Sequence, residues 1–401
     1  MKLAERKLLR NLMTIAALMA MFFALPAFSA DGLKLQEDFV TGKVLKISKP
    51  TINERLQQST GIVSGQQMVE VNVLEGHLKG ATVTVTNEVT DNPAYNINIQ
   101  PGQEIILSVI TDKNGHSEVN ISDYSRAPIL GFLFAAFLAV FLIFGGKKGI
   151  KSLAGLVICV SLIAFVLLPL SLQGGNPLLI AIGICLVATT SSMLLVAGFS
   201  KKAYAAILGT VGGVIAAGLI SYLVIGIAPL TGLTSEEAQI LRGTLPGVPL
   251  KFYSGLLAAG MLIGALGVIM DVAISIASSV FEVSSMDKTL TVGQLYKSGM
   301  NVGQDIMGTM TNTLVLAYAG SALPLLLLVA EMPSIKLLNL DLLATEITAA
   351  LSGSIGLVLT IPLTALIAAR FMSGSHDDAD MKAFSEKTSP SKRDADRGVK
   401  T

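Results

Sequence analysis

The chain has 401 residues, of which 52% are hydrophobic and 14% charged, with 38 glycines and no tryptophan. An average soluble protein carries roughly 25% charged residues, so this chain lacks the polar skin that a soluble enzyme needs. Its 29 basic and 28 acidic residues make no basic field for nucleic acid, and two cysteines make neither a disulfide scaffold nor a four-thiolate metal site. What remains is an integral membrane protein.

Lys2, Arg6, Lys7 and Arg10 precede an apolar stretch over 12–25 and the small residues Ala27 and Ser29. This layout predicts a signal peptide over 1–30, with an uncleaved signal anchor as the rival reading; on either one the following residues are exported. Residues 31–126 alternate in strand fashion over 39–47, 68–74, 81–87, 104–110 and 118–121, with Gly76, Gly80, Pro101-Gly102 and Asn114-Gly115 as turn signals. Five short strands predict a small β-barrel of the OB type. The segment lacks the interleaved aromatic and basic residues of a nucleic-acid face, which favours a structural cap or docking module.

The membrane part is expected over 127–372. Residues 127–146, 152–200, 203–235, 306–330 and 347–369 carry no charge, and 252–281 carry one, Asp271. About 20 apolar residues cross a bilayer as a helix, since each rises about 1.5 Å through about 30 Å of hydrocarbon. The 152–200 run is long enough for two, divided at Gly174-Gly175-Asn176-Pro177. Seven spans are thus predicted, centred near residues 137, 162, 188, 214, 267, 318 and 358.

With the barrel outside, the inner loops hold Lys147, Lys148, Lys151, Lys201, Lys202, Lys288 and Lys297, against Arg242, Lys251 and Lys336 outside. This agrees with the preference of cytoplasmic loops for Lys and Arg, and it places the polar tail, 373–401, inside as a disordered segment.

Chemistry is sought in the charges and polar stripes of the spans. In the fifth, Gly260, Gly264, Gly267, Asp271, Ser275, Ser278, Ser279 and Glu282 share one face. The Gly260/Gly264 pair suits close helix packing, and so does Gly267. A carboxylate in hydrocarbon is costly unless neutral, paired or hydrated, so Asp271 is expected to face the bundle interior, either as a helix-bonding group or as an ion- or proton-handling one. In the sixth span, Asn301, Asp305, Thr309 and Asn312 form a second polar face before Pro324, which should kink or break the helix. Asp305 is open to a plainer reading as a cap at the helix N-terminus. Asp271, Ser275, Asp305, Thr309 and Asn312 are the transport-path candidates.

Other small or polar clusters read as packing. Gly209, Gly212, Gly213, Ala217 and Ser221 make the fourth span a close-packing helix, and Ala349, Ser352, Gly353, Gly356 and Thr360 line one side of the last, with Glu346 at its mouth. Thr189-Thr190-Ser191-Ser192 should bond back to helix carbonyls, and Cys159 and Cys185 should pack as small apolar residues. No metal, cofactor or ATP site is expected: His77, His116 and His376 lie outside the spans and no GxxxxGK[ST] is present. An intramembrane aspartyl hydrolase using Asp271 and Asp305 lacks the local YD and GxGD patterns.

The run over 263–280 (IGALGVIMDVAISIASSV), that over 298–310 (SGMNVGQDIMGTM), and Asn312-Thr313-Leu314 onward to Ser321 resemble the YibE/F-like family of bacterial multi-spanning membrane proteins. Gly42-Lys43-Val44, Lys79-Gly80 and Asp123-Tyr124-Ser125-Arg126 extend the resemblance into the exported segment. The resemblance implies a plasma-membrane protein of poorly defined activity and supplies no substrate or catalytic residue. Three functions compete: a permease or channel for an ion or small solute, a non-transporting scaffold or assembly factor acting through the barrel, and the hydrolase. The expected partners are the lipid bilayer and a related membrane protein or a second copy, with no nucleic acid.

Overall fold

A computed structural model describes residues 36–52, 64–90, 96–111, 117–245, 247–329 and 332–373. The predicted signal segment, the Asn114-Gly115 turn and the tail beyond Ser373 lie outside them. The chain divides into two compact units, one ending at Phe144 and one starting at Gly145.

The first unit is built on an antiparallel sheet of β1 (Gln36–Ile47), β2 (Thr51–Ile52), β3 (Ser64–Val73), β4 (Thr82–Thr90), β5 (Glu104–Thr111) and β6 (Ser117–Tyr124). The five longer strands occupy the predicted positions; β2, only two residues long, was not legible. β1 pairs with β3 and β5, β3 with β4, and β5 with β6, while β4 and β6 approach each other, so the sheet curls into a nearly closed barrel. Register shifts in β1 between Val44 and Lys46 and in β5–β6 at Ile106/Leu107 help it bend.

Alternation decides which side chains enter the barrel. Val69, Val71 and Val73 of β3 point in and are at most 1% exposed, with Val44, Ile105, Leu107 and Val109 across from them, whereas Met68 points out. Gly42 occupies an inward position where a Cβ would stand 2.5 Å from Val71 Cγ1 and 2.7 Å from Leu107 Cδ1. At the end of β6, Asp123 Oδ2 accepts from Arg126 Nη1 at 2.6 Å, and the guanidinium carbon lies 5.1 Å from the Tyr124 ring centre. This bond, then the Tyr124 N–H, holds the Asp123 carboxyl below its usual range.

Helix α1 (Ala127–Leu162) carries the chain from one unit to the other and is interrupted at Gly146, with φ 52° and ψ −137°. Only glycine takes that backbone readily, so the break is written into the residue. A π-turn at Ile163–Leu167 leads into α2 (Leu168–Leu172). Pro169 has no N–H and its ring would crowd the carbonyl of Phe165, and a widened turn relieves both problems.

The predicted divider follows. Asn176 Oδ1 accepts the N–H groups of Leu178 (3.0 Å) and Leu179 (3.4 Å), and Pro177 opens α3 (Pro177–Ala197). Next come α4 (Lys201–Ile227), the short α5 (Glu236–Thr244), α6 (Leu250–Met286), α7 (Val292–Ser321), α8 (Leu323–Val329), α9 (Ser334–Leu338) and α10 (Asp341–Ser373). Helix α7 stops at Ser321 and a new helix starts around Pro324, which therefore breaks the rod rather than kinking it.

Among the described residues, five helical stretches are long and apolar enough to cross a membrane: Ala127–Leu172, Pro177–Ala197, Lys201–Ile227, Leu250–Met286 and Asp341–Ser373. This differs from the seven predicted for two reasons. The spans expected near 137 and 162 fall in one 46-residue stretch, and α7, with Asp305 and its neighbours, is too polar to qualify.

The second unit is held by small faces that meet. A Cβ on Gly209 would collide with Thr364, one on Gly213 with Thr360, and one on Gly356 would lie 2.6 Å from Ala217 Cβ. Helices α4 and α10 thus approach backbone to backbone through their small-residue stripes. Gly212 belongs to the same contact, with a built Cβ 2.6 Å from Leu363 Cδ1. Helix α7 docks by the same device, Gly299 against Val280 and Ala365 and Gly303 against Ile276 and Ile361.

Candidate functional site

Helix α6 buries one side and leaves the other uncovered. Ala265, Ile269, Val272, Ala273, Ile276 and Val280 are sealed in the core. Gly260, Gly264, Gly267, Asp271 and Ser275, the stripe singled out from spacing, are all exposed. Gly264 meets the Tyr318 hydroxyl, 2.6 Å from a built Cβ, while Gly260 and Gly267 have open space where packing was expected. Asp271 therefore does not face a sealed bundle interior.

It lines a groove of about 490 Å3 formed by α1, α3 and α6. The polar and sulfur groups of its wall are Ser152, Cys159, Cys185, Ser192, Met193, Met270 and Asp271; the remainder is aliphatic apart from Gly267, and no basic side chain contributes. The groove exists because α1 and α3 converge at one point and part elsewhere. A Cβ on Gly155 would stand 2.9 Å from Ser192 Oγ, and Cys159 Sγ lies 3.7 Å from the same hydroxyl. Thr190 and Ser191 instead bond back to the carbonyls of Leu186 (2.8 Å) and Ala188 (3.1 Å), as expected. Cys185 is buried and Cys159 half-buried, and both are free thiols.

Helix α7 tells a different story. Its N-terminus is set by a capping box: Thr291 Oγ1 accepts from Gln294 N–H at 3.4 Å, and Gln294 Oε1 accepts from Thr291 N–H at 2.9 Å. Asp305 thus lies well inside the helix, which corrects its reading as an N-terminal cap. With Gly299 and Gly303 turned to the core, Asn301, Asp305, Thr309 and Asn312 fall on the opposite, exposed side. Thr309 donates to the Ile306 carbonyl at 2.9 Å. No residue of α7 lines the Asp271 groove, so the two polar stripes do not meet in that cavity.

The hairpin between α6 and α7 is tied by Asp287, whose Oδ1 accepts from Thr289 Oγ1 (2.7 Å) and Thr289 N–H (2.9 Å). Those two bonds, the side-chain one first, lower the Asp287 pKa. Among the described residues, no group of three or more His, Cys, Asp or Glu side chains is placed to hold a metal ion. Sequence reasoning missed Ser152, Cys159 and Ser192 as groove residues. Their only trace was the small Gly155 on one helix and the hydroxyl cluster on the next.

Long apolar helices packed through glycine faces, together with a β-barrel-like domain, define a membrane protein with a small β-domain. The chain belongs to the YibE/F-like family: a family model described as YibE/F-like protein matches residues 133–374, and one described as YibE/F family N-terminal domain matches residues 40–124. Searches of curated proteins and of solved structures each return no match.

Proposed function

We propose that the chain is a permease or channel for an ion or small solute, with the Asp271 groove as part of its path. One observation carries this reading. In a 37-residue apolar helix, the single acidic side chain between Phe252 and Phe281 is exposed in the wall of an open groove. A carboxylate in a span costs roughly 2.5–3.5 kcal/mol, so such residues mark water-lined or functional positions. With a carboxylate and no basic group in the wall, the solute is cationic or neutral. The chain acts without a catalytic residue, and the α7 stripe of Asp305, Thr309 and Asn312 forms a second candidate wall.

The same reading counts seven passages. The 46-residue stretch would extend roughly 69 Å if straight, about twice the hydrocarbon thickness, and it breaks at Gly146 beside Lys147 and Lys148. Helix α7 supplies the seventh. The barrel, read as OB-type from the order β4-β3-β1-β5-β6, then lies outside the bacterial plasma membrane, and the lysine-rich loops lie inside.

Purified protein in liposomes, assayed with monovalent and divalent cations and a trapped pH dye, tests the reading. Wild type should pass at least one species, and Asp271→Asn and Asp271→Ala should reduce that flux at least tenfold. Undiminished flux in folded Asp271→Ala protein overturns the siting. Wild-type flux equal to that of empty liposomes throughout overturns the permease itself.

A further inference from the structure

A second cavity, of about 540 Å3, lies where the first turns of α4 meet the end of α10. Lys201, Tyr204, Ile207, Leu208, Arg370 and Phe371 line it. Lys201 and Arg370 come from different helices, both exposed, and among the described residues neither has a carboxylate partner, the ion pair there being Arg126–Asp123 in the other unit. The neighbouring Lys202 is already engaged, its ammonium 5.6 Å from the Phe281 ring centre. Two cations without a carboxylate partner among the described residues therefore share one pocket with a phenol.

The rest of the wall is apolar. Leu208 and Phe371 are exposed, and uncovered apolar side chains continue along both helices as Ile215 and Leu219 on α4 and Leu363 and Leu366 on α10. In membrane-spanning helices such a surface meets acyl chains. An arginine fork and a lysine point charge match phosphate oxygens, and basic pockets at helix ends suit lipid headgroups. Free phosphate would use the cations and leave the apolar wall idle; a phospholipid uses both.

We propose that this pocket binds the phosphate headgroup of an anionic glycerophospholipid between Lys201 and Arg370, with its acyl chain against Leu208 and Phe371. The proposal is independent of the transport reading.

Native mass spectrometry of the full chain in detergent, titrated with phosphatidylglycerol and with phosphatidylcholine of the same acyl chains, tests it. Wild type should retain phosphatidylglycerol more than tenfold better. At about 1 kcal/mol per basic residue, Lys201→Gln or Arg370→Gln alone should each weaken that retention about fivefold. The double variant should fall to the phosphatidylcholine level, Lys201→Arg with Arg370→Lys should keep the preference, and so should Lys148→Gln. If the double variant unfolds, the single variants, each losing one exposed side chain, carry the test. Equal retention of the two lipids by wild type, or a preference that survives removal of both cations, overturns the proposal. So does displacement of the lipid by millimolar inorganic phosphate, which would make free phosphate the occupant.

Discussion

Ser221 Oγ donates to Ser352 Oγ at 3.0 Å, both side chains buried and 131 residues apart in the chain. This hydroxyl pair continues the seam where Gly213 lies against Thr360 and Ala217 against Gly356. In hydrocarbon, such pairs contribute modestly, about 0.6 kcal/mol on average in double-mutant cycles, because an unfolded helix in the membrane also finds partners. A Ser221→Ala, Ser352→Ala cycle read by thermal unfolding in detergent should give a coupling of that size. Additive effects would mean the bond contributes nothing.

The backbone approach beside that bond should matter more. Gly213→Ala drives a Cβ into Thr360 Oγ1 and to 2.9 Å from the Gly356 carbonyl, so it should destabilise by about 1–3 kcal/mol. Gly226 lies on the same helix with nothing within 4 Å, and Gly226→Ala should stabilise by about 0.5–1 kcal/mol. The same thermal assay reads both.

Gly42 is the barrel's counterpart. Gly42→Val would overfill the space beside Val71 and Leu107, with a destabilisation of about 1–3 kcal/mol. Hydrogen exchange of the full chain should show the loss of protection in the β1, β3 and β5 amides and not in α4 or α10.

Groove hydration is separable from transport. With Cys159 and Cys185 replaced, Asp271→Cys should react readily with a charged, water-soluble methanethiosulfonate. Leu219→Cys is also exposed but lies on the apolar face of α4, and it should resist the reagent. Equal and slow reaction at both would place Asp271 against lipid.

Acid should act on the Asp123–Arg126 pair with a defined sign. The folded-state pKa of Asp123 is lowered, so its contribution is present above the unfolded carboxylate value of about 4 and fades as pH falls through the folded one. The pair is solvent-screened, so Asp123→Asn should cost less than about 1 kcal/mol at neutral pH. The variant's barrel stability should then vary less with pH below about 4 than wild type's.

Residue order alone determined whatever depends on neighbours in the chain. Valine alternation located the five longer strands, uncharged runs located the apolar helices, and Asn176-Pro177 marked a helix start through bonds that reach only two or three residues. Thr291 and Gln294 carried an equally local signal. The uncharged apolar run begins only at Ile306, so hydropathy alone makes Asp305 a terminus, whereas the helix already starts at Val292.

Tertiary structure decided which of several similar faces found a partner. The small stripes of α4 and α10 are covered by each other, whereas that of α6, equally rich in glycine, leaves Gly260 and Gly267 open and Asp271 in a groove. Spacing puts residues on one side of a helix, but coverage of that side is a sum over contacts between distant segments. For the same reason, low charge and high glycine content named a membrane protein without locating its open face.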